Sequence, residues 1–297
     1  MNIYTLDLNF QGIPETIASY LIAAPQGPVL VESGPASTQE NLRGQLAAHG
    51  VKISDVKHVL LTHIHLDHAG AAGWLAQQGA QLYVHHVGAP HLVEPSKLLA
   101  SAGRIYGDKM DTLWGQTLPA PADKVTAIAD GDVIDVAGLQ FTALDTPGHA
   151  WHHHVYRLGD VGFAGDAAGV RLANTQIIDL PAPPPEFKLD VWLKTLDRLG
   201  AEQFAAIYPT HFGRIEDVEW QLDALRELLL DATEFVRAAL DAGKERNRIV
   251  AEYAVWIQDR ARVHGATDYQ LQQYETANPS YMSVDGIIRY WRRKLAQ

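Results

Sequence analysis

Residues 62–70, Thr62-His63-Ile64-His65-Leu66-Asp67-His68-Ala69-Gly70, constrain this chain more than any other stretch. They follow His58-Val59-Leu60-Leu61, an apolar run that reads as a buried strand. In an extended segment alternate side chains share a side, so the spacing predicts that His63, His65 and Asp67 converge. His68 breaks that period, as expected where a strand gives way to a helix. Imidazoles and a carboxylate gain little by packing at a sheet end. Divalent metal ions of borderline softness take such ligands readily. The stretch predicts a metal site at the end of a strand.

The rest of the composition decides what can complete the site. No cysteine is present, so any metal is held by nitrogen and oxygen and no disulfide or thiolate contributes. Hydrophobic residues make up 47% and charged residues 20% of 297, enough apolar material for a real core. A net charge of -11 argues against a general nucleic-acid partner. No apolar run reaches the length of a membrane span. Met1-Asn2-Ile3-Tyr4 lacks the basic and apolar regions of a secretion signal, so a cytoplasmic protein is the expectation.

Up to about residue 215, short apolar runs alternate with Gly and Pro punctuation. Strands are expected at Ser19–Ile22, Val29–Val31, His58–Leu61, Leu82–Val84, Leu139–Leu144, Val155–Leu158, Val161–Ala164 and Ala205–Tyr208. Helices are expected between them at Gln39–His49, Ala69–Gln78 and Asp190–Leu199. Interleaved strands and helices predict an α/β fold of layered sheets covered by helices. Pro90 to Pro121 carries Leu92, Leu98, Leu99, Ile105, Tyr106, Met110, Leu113 and Trp114 at mostly helical spacing, which suits a core cover and a substrate-facing lid equally. Pro181, Pro183, Pro184 and Pro185 predict a rigid surface connection.

After Gly213 the pattern becomes helical. Leu222, Leu225, Leu229, Ala232 and Val236 mark one amphipathic helix, and Lys244 to Val263 a second. A third is expected to start at Ser283 as its cap, with Val284, Ile287, Ile288, Trp291 and Leu295 as its stripe. Two units follow: a catalytic domain over 1–215 and a helical C-terminal domain over 216–297. Burial of the C-terminal stripes by packing, by homodimerisation or against one side of the pocket is open at this point.

Three further segments place a ligand-type residue just after an expected strand: Asp145-Thr146-Pro147-Gly148-His149, Gly165-Asp166 and Pro209-Thr210-His211. Side chains there are held by a rigid sheet and face an open rim. His152, His153 and His154 compete with His149, which the Pro147-Gly148 turn favours. His85, His86 and His91 read as structural or lid residues. The ordered set His-x-His-x-Asp-His, His, Asp, His resembles the metallo-β-lactamase superfamily over about residues 1 to 215. The resemblance implies a four-layer αββα sandwich followed here by the C-terminal helical extension. It implies a first metal on His63, His65 and His149, a second on Asp67, His68 and His211, and Asp166 bridging both. It also implies that Asp67 orients the attacking hydroxide. Val31-Glu32-Ser33-Gly34 stands where the family usually has an aspartate, and by analogy Glu32 hydrogen-bonds a ligand histidine or nearby backbone.

Five histidines and two aspartates, with one shared, give each ion four protein ligands and room for a bridging water. Two ions ~3.5–4 Å apart acidify that water and polarise a carbonyl or phosphoryl oxygen. Zinc suits the donors first, with iron or manganese compatible. The expectation is therefore a dinuclear hydrolase of a small ester, thioester or lactone, most similar to the glyoxalase II-like and lactonase-like branches. Leu92, Tyr106, Met110 and Trp114 are the candidate pocket residues. A phosphodiesterase or ribonuclease of the same superfamily is the second reading, disfavoured by acidity. A non-catalytic, metal-stabilised assembly module is the third.

Overall fold

The computed structural model describes residues 2–295. Six strands form the first sheet in simple sequence order. They are β1 (Asn2–Asp7), β2 (Ala18–Ala24), β3 (Gly27–Val31), β4 (His58–Leu61), β5 (Gln81–His85) and β6 (Val125–Ile128). The first three strands run antiparallel, and β3 to β6 run parallel. The second sheet holds β7 (Val133–Val136), β8 (Leu139–Asp145), β9 (His154–Leu158), β10 (Val161–Gly165) and β11 (Ala206–Pro209), ordered β11-β10-β9-β8-β7. Its neighbours are antiparallel except β10 and β11.

Residue parity along the strands builds the layers. Tyr20, Ile22, Val29, Val31 and Leu60 meet Phe141, Tyr156 and Phe163 between the sheets. Their neighbours Leu21, Leu30, Val59 and Leu61 point the other way, onto a helical layer carrying Leu42, Leu46 and Leu75. That layer contains α1 (Gln39–Ala48), α2 (Leu66–Ala69), α3 (Ala72–Gln77), α4 (Ala89–Val93), α5 (Ser96–Tyr106) and α6 (Met110–Trp114). The outer face of the second sheet, including Leu144, Val155 and Ile207, is covered by α7 (Leu189–Ala201), α8 (Val218–Asp241), α9 (Arg246–Val263) and α11 (Ser280–Leu295). Between the last two lies α10 (Asp268–Ala277). Both sheets are apolar on two faces, which is why their strands read as continuous hydrophobic runs. The fold is the αββα sandwich with additional C-terminal helices.

Several local expectations are corrected. β1, β6 and β7 are strands that the apolar pattern passed over; each is an edge strand with partly exposed side chains, so its hydrophobic signal is weak. The helix expected over Ala69–Gln78 is two helices, α2 and α3. A Cβ on Gly70 would lie 2.3 Å from the Leu66 carbonyl oxygen, and the Ala71 amide donates to Gly34. The last helix begins at Ser280, so Ser283 is not its cap. Ser283 is buried, donates its hydroxyl to the Leu180 carbonyl and accepts from the Ala182 amide at 3.2 Å. The C-terminal stripe of Val284, Ile287 and Ile288 is buried within the chain itself. Among the described residues no helix is long and apolar enough to cross a membrane.

The start of the last C-terminal helix is tied down by one unusual carboxylate. Asp179 is buried, accepting from Asn278 Nδ2 at 2.8 Å and from the Leu180 amide at 2.8 Å. Burial pushes its pKa up to about 6. The native state therefore holds a proton that the unfolded chain, with an ordinary Asp pKa of about 3.9, has released. Stability falls as pH rises from about 4 to 6, by a total of about 3 kcal/mol for this group. Asp179→Asn is expected to flatten that part of the pH profile. Melting temperatures of both proteins at pH 4 and pH 7 test it, and parallel profiles would refute it.

Candidate metal centre

The predicted ligand residues lie on four loops at one rim of the sandwich. His63 and His65 follow β4, and Asp67 and His68 occupy the short helix α2. The strand-like alternation ends after His65, so Asp67 reaches the site from a helical turn rather than from an extended strand. His149 sits between β8 and β9, Asp166 directly after β10, and His211 after β11. Two glycines allow the loops to close. Gly148 adopts φ 130°, and a Cβ there would lie 2.4 Å from the Trp192 Cβ. Gly165 adopts φ 49°, and a Cβ there would strike Thr62 Oγ1 and His153 Nε2.

The side chains converge as two groups. His63 Nε2, His65 Nδ1 and His149 Nε2 form a triangle with sides of 2.9, 2.9 and 3.2 Å. Asp67 Oδ2 lies 3.6 Å from His68 Nε2 and 3.4 Å from His211 Nε2. Asp166 stands between the groups. Its Oδ1 is 3.4 Å from His68 Nε2 and 3.6 Å from His211 Nε2, and its Oδ2 is 3.3 Å from His149 Nε2.

Surrounding hydrogen bonds decide which ring nitrogens are bare. His149 donates from Nδ1 to the Pro181 carbonyl at 2.7 Å, and His211 donates from Nδ1 to the Thr16 carbonyl at 2.7 Å. His68 donates from Nδ1 to Glu32 Oε1 at 3.3 Å. In its neutral form each of these rings points an unprotonated Nε2 inward. His63 follows the same rule through Thr62, whose hydroxyl donates to Glu32 and accepts from His63 Nδ1 at 3.1 Å. The buried His68 Nε2 and Asp166 Oδ1 have no hydrogen-bond partner among the described residues. Bare nitrogens and carboxylate oxygens facing one another are repulsive unless a cation lies between them. The donor set fits divalent metal ions.

Electrostatics divides the histidines accordingly. Burial, then repulsion from the neighbouring rings, holds His63 well below the ordinary histidine value. Burial and the adjacent His149 and His152 lower His65 to about 3. Burial also lowers His149 despite the opposing Asp166. For His68 and His211 burial acts in the same direction, but Asp166 and Asp67 outweigh it and raise both. The first trio is thus kept neutral, the form that ligates.

The same proton accounting separates these residues from other histidine clusters. His85 and His154 share the Asp145 carboxylate at 3.3 and 2.6 Å. His85 Nδ1, however, accepts from the Val87 amide, so its Nε2 carries a proton and donates to Asp145. His152 Nδ1 faces the Ile64 amide at 3.5 Å, leaving Nε2–H for Glu186 at 3.2 Å. His153 donates from Nδ1 to Thr146 Oγ1 at 2.7 Å and accepts at Nε2 from the Asp166 amide at 3.1 Å. All three residues of 152–154 are buried hydrogen-bonding residues, and His153 positions the Asp166 backbone.

Glu32 is buried in a left-handed backbone conformation, φ 65°. Besides His68 and Thr62, its Oε1 accepts from Thr210 Oγ1 at 3.3 Å, so one carboxylate touches the neighbours of His63 and His211 and His68 itself. Sequence reasoning does not single out Thr62, Thr210, Thr16 or Pro181 for this supporting role. Two of them act through main-chain carbonyls, which carry no side-chain signature. Glu32→Gln is expected to weaken metal affinity about 10–100-fold, the typical cost of losing such a partner. Competition with a chromophoric chelator measures this, and unchanged affinity would remove Glu32 from the support of the site.

A cavity of ≈ 1090 Å³ opens above the candidate ligands, and His65, Asp67, His149, Asp166 and His211 lie on its wall. Tyr106 and Trp114 line it. Leu92 and Met110 do not; they pack into the core on the outer face of the first sheet. His91 and the proline run line it too, so Pro181 to Pro185 form a wall of the cavity as well as a connection. Leu271, Asn278, Tyr281 and Met282 add a wall from the C-terminal helices.

Comparison with known proteins agrees with this fold. The sequence pattern of the metallo-beta-lactamase superfamily matches residues 12–211, and the chain belongs to that superfamily. It thereby stands among metal-dependent hydrolases. A metallo-beta-lactamase fold-containing protein of Sulfurisphaera tokodaii is 26% identical over 189 residues, covering 62% of this chain and 68% of that protein. An atrochrysone carboxyl ACP thioesterase of Aspergillus fumigatus is 25% identical over 209 residues, covering 69% of this chain but only 39% of the thioesterase. The crystal structure of a metallo-beta-lactamase family protein from Thermus thermophilus superposes with a TM-score of 0.73 at 24% identity. It covers 99% of this chain and 94% of that one, so the likeness in fold includes the C-terminal helices.

Proposed function

We propose that this protein is a dinuclear metal hydrolase acting on a thioester or a related ester or lactone. The observation that carries the reading is the pair of inward-facing donor groups joined by Asp166. His63, His65 and His149 would hold one ion, Asp67, His68 and His211 the other, and Asp166 both, with zinc the first choice for nitrogen and oxygen donors. When bound, two such ions lower the pKa of water and polarise the carbonyl under attack.

The chain's own residues supply position and proton handling. Asp67 is the more open of the two aspartates, with its side chain 20% exposed against 4% for Asp166, and it lies on the cavity wall. Its carboxylate orients the attacking water and accepts its proton. Tyr106 and Trp114 pack edge to face, 5.0 Å between ring centroids, and exclude solvent from one side of the cavity. His152, whose ring centroid lies 5.5 Å from that of His65, donates its Nε2 proton to Glu186, so that proton is engaged away from a leaving alkoxide. A thiol, with an ordinary pKa of about 8.5, departs without such help far more easily than an alcohol. The thioesterase among the relatives supports the same preference.

Metal-loaded protein is expected to carry about two equivalents of transition metal per chain and to hydrolyse thioesters fastest in a panel with lactones, β-lactams, aryl phosphodiesters and single-stranded RNA. A ceiling of one metal equivalent refutes the dinuclear assignment. Cleavage confined to the phosphodiesters or RNA refutes the substrate class.

A further inference from the structure

The cavity is larger than a small ester needs. At ≈ 1090 Å³ it lies just above the ~300–1,000 Å³ that ordinary small-molecule sites enclose. Its two long walls come from segments far apart in the sequence. α5 and α6 contribute Leu98, Ile105 and Leu113, and the α10–α11 region contributes Leu271, Ala277 and Met282. Leu98 and Leu113 pack on the core of the first sheet's outer face, whereas Leu271 belongs to the core between the sheets. The cavity is the seam that neither core fills.

Polarity is unevenly placed within it. The metal-ligand type residues His65, Asp67, His149, Asp166 and His211 all descend from the strand-end rim. Away from that rim the buried and half-buried side chains of the two helical walls are mostly aliphatic or aromatic, Ser101, Gln258, Thr276 and Asn278 apart, whereas the charged lining residues Lys97, Asp108, Lys109, Arg262, Asp268 and Glu275 are exposed. Apolar side chains lining an open cavity forgo the burial available in a core unless a ligand covers them. A molecule with a reactive carbonyl at one end and an extended apolar body matches this division.

We infer that the site selects thioesters or esters with a long apolar acyl group, held between α5–α6 and α10–α11 with its carbonyl at the ligand rim. This rests on the hydrolase reading above and adds the acyl class. The commitment is to acyl length, not to the carrier that bears the acyl group.

Chain-length kinetics tests it. Metal-loaded protein is assayed with p-nitrophenyl esters and N-acetylcysteamine thioesters from acetyl to dodecanoyl. Burying one methylene is worth about fourfold, so kcat/KM is expected to climb by roughly that factor per carbon over the early steps and to gain more than a hundredfold by decanoyl. Binding is read separately by cis-parinarate fluorescence on the Asp67→Asn protein, with displacement by dodecanoate. Ala102→Phe and Ala277→Phe, one on each wall, are expected to lower the dodecanoyl-to-acetyl ratio of kcat/KM at least tenfold and to weaken cis-parinarate binding. Hydrolysis that is flat with chain length, or a protein that does not bind cis-parinarate, overturns the acyl assignment and leaves the hydrolase reading standing. Tight, dodecanoate-displaceable binding by a protein that turns over none of the series supports the acyl chamber and overturns the hydrolase reading.

Discussion

Asp166→Ala is expected to reduce bound metal from about two equivalents per chain to less than one, and turnover by well over a hundredfold. Asp166 reaches both donor groups, through Oδ2 toward His149 and Oδ1 toward His68 and His211. Removing it takes a ligand from each proposed ion at once, which exceeds the roughly 10–100-fold penalty of losing an outer hydrogen-bonding partner. It also removes the negative charge that offsets five clustered imidazoles. The backbone should survive, because the Asp166 amide remains anchored by His153 Nε2. Elemental analysis after dialysis, paired with far-ultraviolet circular dichroism, gives the result. Two retained equivalents in a folded variant would show that Asp166 is not shared.

Asp67→Asn should lower kcat by about 10²–10⁴-fold, the range lost with a positioned proton acceptor, while changing KM little. Asparagine keeps the size of the side chain and one carbonyl oxygen. It loses the charge that faces His211 and His68 and cannot take a proton from water. The effect differs from that of Asp166→Ala in being chiefly on turnover, with metal content much less affected. Turnover within twofold of the parent protein would exclude Asp67 from the chemistry.

Sequence made the rim of the site readable because strand-end ligands are side chains in short, punctuated motifs. The interior strands were equally readable, since Val29-Leu30-Val31 and Val59-Leu60-Leu61 are buried on both faces and admit no polar residue. β1, β6 and β7 escaped because an edge strand tolerates polar side chains, leaving patterns such as Val125-Thr126-Ala127-Ile128 with little contrast. The carbonyls of Thr16 and Pro181 that accept from His211 and His149 were invisible for a different reason: any residue can present a backbone oxygen. Pocket residues were half legible. Helical periodicity identifies which face of 90–114 is apolar, but not which apolar residues meet the sheet, as Leu92 and Met110 do, and which meet the cavity, as Tyr106 and Trp114 do. The wall from α10 and α11 depends on a tertiary contact that joins distant parts of the chain, and nothing local announces it.

That distant wall separates two kinds of inheritance. Every residue proposed for the metal or the proton lies before residue 212, whereas Leu271, Asn278, Tyr281 and Met282 line the cavity proposed to take the substrate. Drift in the C-terminal helices can therefore retune what the enzyme accepts without disturbing how it cuts. Chimaeras that exchange this segment between relatives should carry selectivity with the tail and leave the chemistry with the head.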